Sequence, residues 1–257
     1  MMPKLKKKLC SDSIAVGTFV KMPTLSVLDM LGDAGYDFVI IDMEHSPLDF
    51  HWVEAMVAAA DAVKMSTVIR VPDNQDYLIV KALDLGCDGV QIPMIETVEG
   101  AKKAMQAARY YPLGNRSISF ATRGARYGAV PRPEHIKESN ADQMVVAQIE
   151  SLSAVEQADS IASLAGIDVL FVGPADLSQS MGMPGQSSDP RVMECLRRVG
   201  AAAERNRKAL GVHVNRLEDV PEMMACGVTY FVYASDTAFF RRGAQEALQG
   251  IRTILKI

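Results

Sequence analysis

Carboxylates that could bind a metal stand at the ends of two apolar segments in the middle of the chain. Gln148 to Glu150 closes one such run, and Gly173 to Asp176 follows the next. Apolar, β-branched runs of this length are typical of buried parallel strands. Two acids at neighbouring strand ends, with room left for water and substrate, suit a hard cation such as Mg²⁺ or Mn²⁺. The alternative for Asp176 is a capping role, because it lies where a helix could begin.

Two strand ends farther upstream carry an acid, an imidazole and a guanidinium. Asp42 and His45 follow one apolar run and Arg70 ends the next. His45 is the histidine best placed for proton transfer near neutral pH. A buried Arg70 needs an anionic partner, which is either a substrate carboxylate or enolate oxygen, or a local acid such as Asp42. Gln148 shares strand parity with Glu150, so its amide can bind a substrate oxygen or order a metal-bound water.

These residues are positioned by a regular alternation of strands and helices. Apolar runs predict eight strands, at 15–20, 38–42, 67–71, 89–93, 144–149, 168–172, 210–214 and 230–234. The segments between them have the apolar spacing of helices. With no linker to divide the chain, the pattern predicts an α/β fold: a single (β/α)8 TIM barrel domain over residues 1–257. A doubly wound open sheet is the alternative, and it is disfavoured because no Gly-rich phosphate loop follows the first strand.

The remaining candidates for acid–base or covalent chemistry are less well placed. His51 and His135 are predicted to lie on the surface, and His213, inside the seventh strand, is predicted to be a packed and satisfied core residue. A Schiff-base aldolase needs a lysine inside the barrel, and only Lys21, after the first strand, lies near the mouth. Carbanion chemistry would therefore depend on a metal that chelates a 2-oxo acid and stabilises its enolate.

One long loop departs from the repeat. Residues 111–133 are rich in Gly, Arg and Ser and follow the fourth strand–helix unit. We expect an extended loop over the active face. Its arginines, Arg116, Arg123 and Arg126, could recognise an acidic or polyhydroxy substrate or pair with local acids.

The last helix, at about 236–256, is an additional apolar element. Phe239 and Phe240 are adjacent, so they point to different faces of the helix and one of them would be exposed in a monomer. We expect this helix to bury its apolar face against another subunit.

Composition excludes several kinds of partner. The chain has 27 Lys and Arg against 31 Asp and Glu. Without a basic stripe, neither nucleic acid nor a membrane is expected as a partner. The lysines between Lys4 and Lys8 are interpreted as the solvated face of a short N-terminal helix. No apolar stretch reaches the roughly 20 residues of a membrane span, and no signal peptide is apparent, so a cytoplasmic location is predicted. The four cysteines are scattered and read as reduced thiols.

Ordered motifs along nearly the whole chain carry a family resemblance. They are Gly17 to Phe19, Asp37 to His45, Arg70, Gly89 to Pro93, Tyr111 to Ser117, Gln148 to Glu150 and Gly173 to Ser178. Together they resemble the HpcH/HpaI class II pyruvate aldolases. The resemblance implies a TIM barrel, usually a homohexamer with its final helix exchanged between subunits. It also implies cleavage of 4-hydroxy-2-oxo acids to pyruvate, or a close 2-oxo acid, and an aldehyde.

The resemblance also implies roles for individual residues. A divalent metal (Mg²⁺, Mn²⁺ or Co²⁺) would be held by Glu150 and Asp176. Arg70 would stabilise the pyruvate enolate, and His45 would act with Asp84 in proton transfer. The substrate-binding set would comprise Asp42, Gln148, Gly173, Pro174 and Ala175.

Asp84 conflicts with the predicted geometry. It lies near the end of a helix just before Gly86, at the foot of its own barrel and away from His45. Either Asp84 reaches the site of a neighbouring subunit, or its role is structural.

Two other functions remain open. One is a CoA-ester lyase of the citrate lyase and malyl-CoA lyase type, although no dense basic stretch beyond the strand ends would bind the CoA phosphates. The other is a non-catalytic barrel protein. Within the aldolases, the motifs do not decide between 4-hydroxy-2-oxoheptanedioate and 2-dehydro-3-deoxy sugar acids as substrates.

Overall fold

The strands close into a parallel barrel in chain order, as the alternation predicted. The computed structural model describes residues 4–11 and 13–257. Within them eight strands form the barrel, and β1 pairs with β8 to complete it. The strands are β1 Ala15–Val20, β2 Phe38–Asp42, β3 Ser66–Arg70, β4 Gly89–Ile92, β5 Met144–Ile149, β6 Val169–Val172, β7 Ala209–Val214 and β8 Val228–Ser235. The predicted limits differ from these by at most two residues.

Helices surround the barrel and connect successive strands. They are α1 Lys4–Cys10, α2 Ser26–Asp33, α3 Phe50–Ala62, α4 Asp76–Asp84, α5 Val98–Ala108, α6 Arg132–Asp142, α7 Leu152–Ala162, α8 Pro174–Ser180, α9 Pro190–Arg205, α10 Val220–Ala225 and α11 Asp236–Leu255. Side-chain caps fix several helix starts, such as Asp49 on the Trp52 amide and Ser151 on the Ala154 amide. A cap satisfies backbone N–H groups that the helix itself leaves unpaired.

Strand alternation sends side chains either to the helices or to the barrel interior. The interior cluster includes Phe38 and Ile40 of β2, Phe171 of β6 and Tyr230 of β8. Leu5 of α1 belongs to the same cluster, so this short helix closes the foot of the barrel. Above these layers the register pairs neighbouring strand ends, and Asp42 lies opposite Arg70. Polar side chains at the ends of the strands therefore meet at one mouth.

The N-terminal helix is present as predicted, and two of its lysines are paired with acids. Lys6 lies 3.1 Å from Asp168, and Lys8 lies 2.5 Å from Asp37. These pairs hold α1 against the foot. Residues 1–3 and 12 lie outside the described residues, so a single domain over 1–257 stays a prediction. Among the described helices none is both long and apolar enough to cross a lipid bilayer.

The long loop after α5 lies at the foot of the barrel, so its predicted place over the active face is wrong. The amide of Gly124 donates to the carbonyl of Asp84 at the end of α4. Arg123 pairs with Asp61 near the end of α3. The reason is topological: all strands run in one direction, so a connection from a helix to the next strand returns at the opposite end from the mouth.

The predicted surface position of His135 is also wrong. It was expected on the surface, but only 8% of it is exposed, because it packs between the rings of Tyr110 and Phe120 beneath this loop. His51 is exposed, as expected.

The final helix leaves the barrel after its first turn. Asp236 is buried and accepts hydrogen bonds from the amides of Lys21 and Met22, at 3.0 and 2.9 Å. Phe239 packs on Tyr233, whereas Phe240 is 72% exposed. The divergence of the two phenylalanines is as predicted. Farther along the helix the exposed apolar residues are Leu248, Ile251, Ile254 and Leu255.

The interior layer at β7 provides a test of how closely the barrel is packed. A Cβ on Gly211 would lie 2.7 Å from the Phe171 ring and 2.9 Å from the Tyr230 ring. We expect Gly211→Ala to lower the free energy of unfolding by about 1–3 kcal/mol, because buried rings must shift. Urea denaturation followed by circular dichroism measures the change.

Gly100→Ala in α5 is the matched control, because a Cβ there meets ordinary contacts at 3.5 Å or more. It is expected to be neutral or stabilising by up to about 1 kcal/mol. Equal stability of Gly211→Ala and the unmodified protein would show that the layer has spare room.

Candidate active site

One cavity at the barrel mouth collects most of the predicted site. It has a volume of about 170 Å³. Its lining includes His45, Arg70, Glu150, Gly173, Pro174, Ala175 and Asp176, together with Phe19, Lys21, His213 and Asn215. Six strand ends and connections contribute these residues, as expected of the C-terminal face of a TIM barrel. Gln148 and Asp42 lie behind this lining, and Asp84 lies elsewhere.

Arg70 is held by two acids below the cavity. Its Nε and Nη2 donate to the two oxygens of Asp42 at 2.9 and 2.7 Å, and its Nη1 lies 3.0 Å from Glu44. The guanidinium also lies over the Phe19 ring, 4.5 Å from its centroid. The pairing with Asp42 that the sequence left open therefore exists. It fixes the guanidinium, which lines the cavity.

Asp42 is a buried carboxylate that stays ionised. Burial alone would raise its pKa, but the hydrogen bonds and charge of Arg70, the charge of Lys21 and the amide of His45 lower the pKa to about 2. Lys21 Nζ lies 3.1 Å from Asp42. Asp42 has no exposed surface and lies behind the cavity lining. It therefore positions Arg70 and Lys21 and is not itself in contact with the cavity.

Glu150 is held by a chain of side-chain amides from the adjacent strands β4 and β5. Gln91 of β4 donates to the side-chain oxygen of Gln148, and Gln148 donates to Glu150 Oε1 at 2.5 Å. The amide of Met94 donates to the other Glu150 oxygen at 3.1 Å. Met94 has a φ of 52°, a left-handed conformation that is costly for a side chain of this kind. Gln148 thus orients the acid, where the sequence had left substrate binding or water ordering open.

The carboxylates of Glu150 and Asp176 converge on Gly173. A Cβ on this glycine would lie 3.0 Å from Glu150 Oε1 and 3.4 Å from Asp176 Oδ2. Burial raises the pKa of Glu150 to about 7, and the charges of Asp176 and Glu44 add to the increase, although the Met94 amide and Arg70 oppose it. The two acids repel each other across a space that only a residue without a side chain leaves open.

This space fits a divalent metal bound by oxygen. Four carboxylates, Asp42, Glu44, Glu150 and Asp176, face the cations Arg70 and Lys21 at the mouth, and a divalent ion would balance the excess. Among the described residues no group of three or more His, Cys, Asp or Glu forms a complete metal site. A two-carboxylate site is nevertheless usual for Mg²⁺, which keeps several waters or substrate oxygens.

His45 stands at the rim of the mouth. Its side chain is 60% exposed, and its Nε2 lies 3.8 Å from Glu44. It lines the inner cavity and also a second hollow, next to Met94 and Glu96. The imidazole is therefore accessible to a substrate from the outer side of the mouth.

Asp84 lies at the foot, as its place in the sequence predicted. Its Oδ1 accepts from Arg116 Nη2 at 2.7 Å, and the Arg116 guanidinium lies over the Tyr110 ring, 4.7 Å from its centroid. Arg116 and Asp84 thus join the long loop to α4. Within one chain Asp84 and His45 are at opposite ends of the barrel.

The sequence reasoning missed His213 as a residue of the site. It lines the cavity, and its Nε2 is buried without a partner, so the prediction of a satisfied core histidine is wrong. The available signal was strand parity: Gly211 faces the interior layer, so His213 and Asn215 must face the mouth. Gln91 was missed for a simpler reason, because its partner Gln148 follows it by 57 positions.

Comparison with known proteins agrees with the motifs. A sequence profile of the HpcH/HpaI aldolase/citrate lyase family matches residues 15–242. A 5-keto-4-deoxy-D-glucarate aldolase from Salmonella arizonae is 32% identical over 95% of this chain and 94% of its own length.

Solved structures extend the comparison. An HpcH/HpaI aldolase/citrate lyase family protein from Burkholderia cenocepacia J2315 has a TM-score of 0.92 and 31% identity, over 98% of this chain and all of its own. A citrate lyase beta subunit from M. tuberculosis, complexed with oxaloacetate and magnesium, has a TM-score of 0.54 at 15% identity over 88% of this chain and 93% of its own, which shows a common fold alone.

The family match covers the barrel with every mouth residue described above, and the curated relatives are aldolases. The chain therefore belongs to the HpcH/HpaI aldolase/citrate lyase family and is a metal-dependent class II pyruvate aldolase, a lyase of carbon–carbon bonds.

Proposed function

We propose that the substrates are 4-hydroxy-2-oxo acids of the 2-dehydro-3-deoxy sugar-acid type, cleaved reversibly to pyruvate and an aldehyde. The observation that carries this proposal is the convergence of Glu150 and Asp176 on Gly173, beside a fixed Arg70 in one cavity. The name of the Salmonella arizonae relative, a 5-keto-4-deoxy-D-glucarate aldolase, favours a sugar acid over 4-hydroxy-2-oxoheptanedioate.

The proposed metal is Mg²⁺, Mn²⁺ or Co²⁺, held by Glu150 and Asp176. When bound, it would act as a Lewis acid on the 2-oxo group. The repulsion between the two acids and the chain of amides that fixes Glu150 support this assignment. The backbone from Gly173 to Ala175, which lines the same cavity, would receive the substrate carboxylate.

Arg70 would stabilise the charge that develops on the enolate oxygen as the carbon–carbon bond breaks. Its orientation is set by Asp42 and Glu44, so no reorganisation is needed during the reaction. His45, at the open rim, would take the proton of the substrate's 4-hydroxyl and return it in the reverse direction.

Asp84 would assist His45 only between subunits. Because its own barrel keeps it at the foot, with Arg116, we propose that it is presented to the mouth of a neighbouring subunit. The arginines of the loop after α5 would then lie near the part of the neighbouring site that binds the aldehyde half of the substrate. A homohexamer in which α11 is exchanged between subunits would provide such contacts and would cover the exposed apolar residues of α11.

The metal requirement is tested by removing the ion. Treatment with EDTA should abolish pyruvate release from 2-dehydro-3-deoxy sugar acids in a coupled lactate dehydrogenase assay, and Mg²⁺, Mn²⁺ or Co²⁺ should restore it. Glu150→Gln should weaken Mn²⁺ binding, measured by calorimetry, about 100-fold or more, because a charged ligand is lost.

Glu156→Gln, an exposed position on α7, is the control and should bind Mn²⁺ normally. The proposal fails if turnover is unchanged in chelator, or if borohydride traps a pyruvate adduct on Lys21.

The role of Arg70 is tested by a change that keeps its charge. Arg70→Lys should lower kcat/KM on the order of a hundredfold or more, because lysine cannot hold both acids and the enolate oxygen with a fixed fork. Arg205→Lys, in an exposed ion pair with Asp159, is the control. Thermal unfolding is measured in parallel, and an Arg70→Lys enzyme that melts early but turns over normally would indicate a purely structural arginine.

Assembly is tested on the apolar face of α11. The double change Ile251→Glu and Ile254→Glu should produce a smaller species in light scattering and reduce activity, because charges would be buried at the contact. Truncation after Asp236 should have the same two effects. Gln249→Glu, on the opposite face of the helix, should leave the oligomer intact. A monodisperse, fully active monomer of the unmodified chain would refute the proposal.

A further inference from the structure

The inner cavity adjoins a larger cleft between the connections that follow β6 and β7. This cleft has a volume of about 490 Å³. Pro174, Ala175, His213 and Asn215 line both spaces. A substrate whose 2-oxo acid end lies between Glu150 and Arg70 can therefore extend its aldehyde half past His213 and Asn215 into the cleft.

His213 presents an unused hydrogen-bond acceptor at this border. Its ring meets the edge of Phe19, with centroids 5.2 Å apart. Its Nε2 is buried and has no hydrogen-bond partner among the described residues. The backbone of Ala234, on the neighbouring strand, lies beside the ring. Ala234 itself has a φ of 52°, so its backbone holds a strained conformation at this contact.

The surroundings keep this imidazole neutral. Burial is the main cause of a pKa lowered to about 4, and the charges of Arg70 and Lys21 lower it further, while Ala234 and Asp176 act in the opposite direction. When the single proton of the neutral ring is on Nδ1, Nε2 carries a lone pair. A lone pair in this position accepts a hydrogen bond from a hydroxyl group and offers nothing to a carboxylate.

The neighbouring polar groups fit the same ligand chemistry. The Asn215 amide can donate and accept at once, as a hydroxyl does. The cleft beyond it is lined by Ser187, Ser188, Asp189, Arg216 and Asp219. An apolar aldehyde would leave Nε2 without a partner, and an unpaired buried acceptor is costly.

We propose that His213 and Asn215 bind hydroxyl groups on the aldehyde half of the substrate, with His213 Nε2 as the acceptor, and so select hydroxylated over apolar aldehydes. This inference rests on the proposed function and defines the aldehyde that the site takes. His213 is thus a specificity residue, and the enolate half of the reaction does not depend on it.

The test uses two aldehydes of the same chain length in the direction of carbon–carbon bond formation. With pyruvate and Mn²⁺, the unmodified enzyme should use D-glyceraldehyde with a kcat/KM about tenfold or more above that for propanal. In His213→Leu this ratio should fall to about threefold or less. His213→Gln, whose amide oxygen can replace Nε2, should retain most of the preference, and Asn215→Ala should lose part of it. His51→Gln, at an exposed position, is the matched control.

Exchange of the pyruvate methyl protons for deuterium, followed by NMR without an aldehyde, separates this inference from the proposed function. If the unmodified enzyme neither exchanges these protons nor releases pyruvate from sugar acids, the proposed function fails and this inference fails with it. If exchange is normal, an equal use of the two aldehydes by the unmodified enzyme overturns the assignment without any variant. An unchanged preference in His213→Leu, or loss of exchange in that variant, overturns it as well.

Discussion

The ion pair between Asp42 and Arg70 is the contact on which the mouth of this barrel depends. Parallel register sets the two residues side by side at the ends of β2 and β3. A carboxylate with no exposed surface must have cationic partners, and here Arg70 and Lys21 supply them. In return, Asp42 fixes both cations in the wall of the cavity. The positions of Glu44 and of the Phe19 ring follow from the same guanidinium.

Glu150, across the mouth from this ion pair, is held by neutral groups instead of by a cation. Gln91 and Gln148 stand on adjacent strands. Gln91 donates a hydrogen bond to Gln148, and Gln148 donates one to Glu150. Such a chain has direction, because each amide donates to the next oxygen and the last donor points at the carboxylate. It holds the acid in place while leaving its charge uncompensated. Stability is therefore lower at this point than an apolar layer would give, and the charge is available for a ligand.

The sequence predicted the barrel because its apolar runs are long and regularly spaced, and it predicted the acids at the mouth because strand ends share one side. It could not choose between substrate and Asp42 as the partner of Arg70, since that depends on register. The prediction for His213 was wrong because parity along a strand indicates which face a side chain occupies, but not whether a hydrogen-bond partner lies on that face. The loop after α5 was misplaced although its direction was available from topology. Its arginine content favours the substrate side, whereas the common direction of the strands places every helix-to-strand connection at the foot.

The root of α11 has a consequence for the whole molecule. Asp236, the first residue of the helix, holds the backbone of Lys21 and Met22 just beyond β1. Lys21 in turn touches Asp42. The first residue of α11 is thus linked to the charged groups of the mouth. The rest of the helix, from Phe240 onward, is exposed within one chain. Contacts that fix the exposed part of α11 would therefore also act on the position of Lys21 at the mouth, without passing through the barrel core.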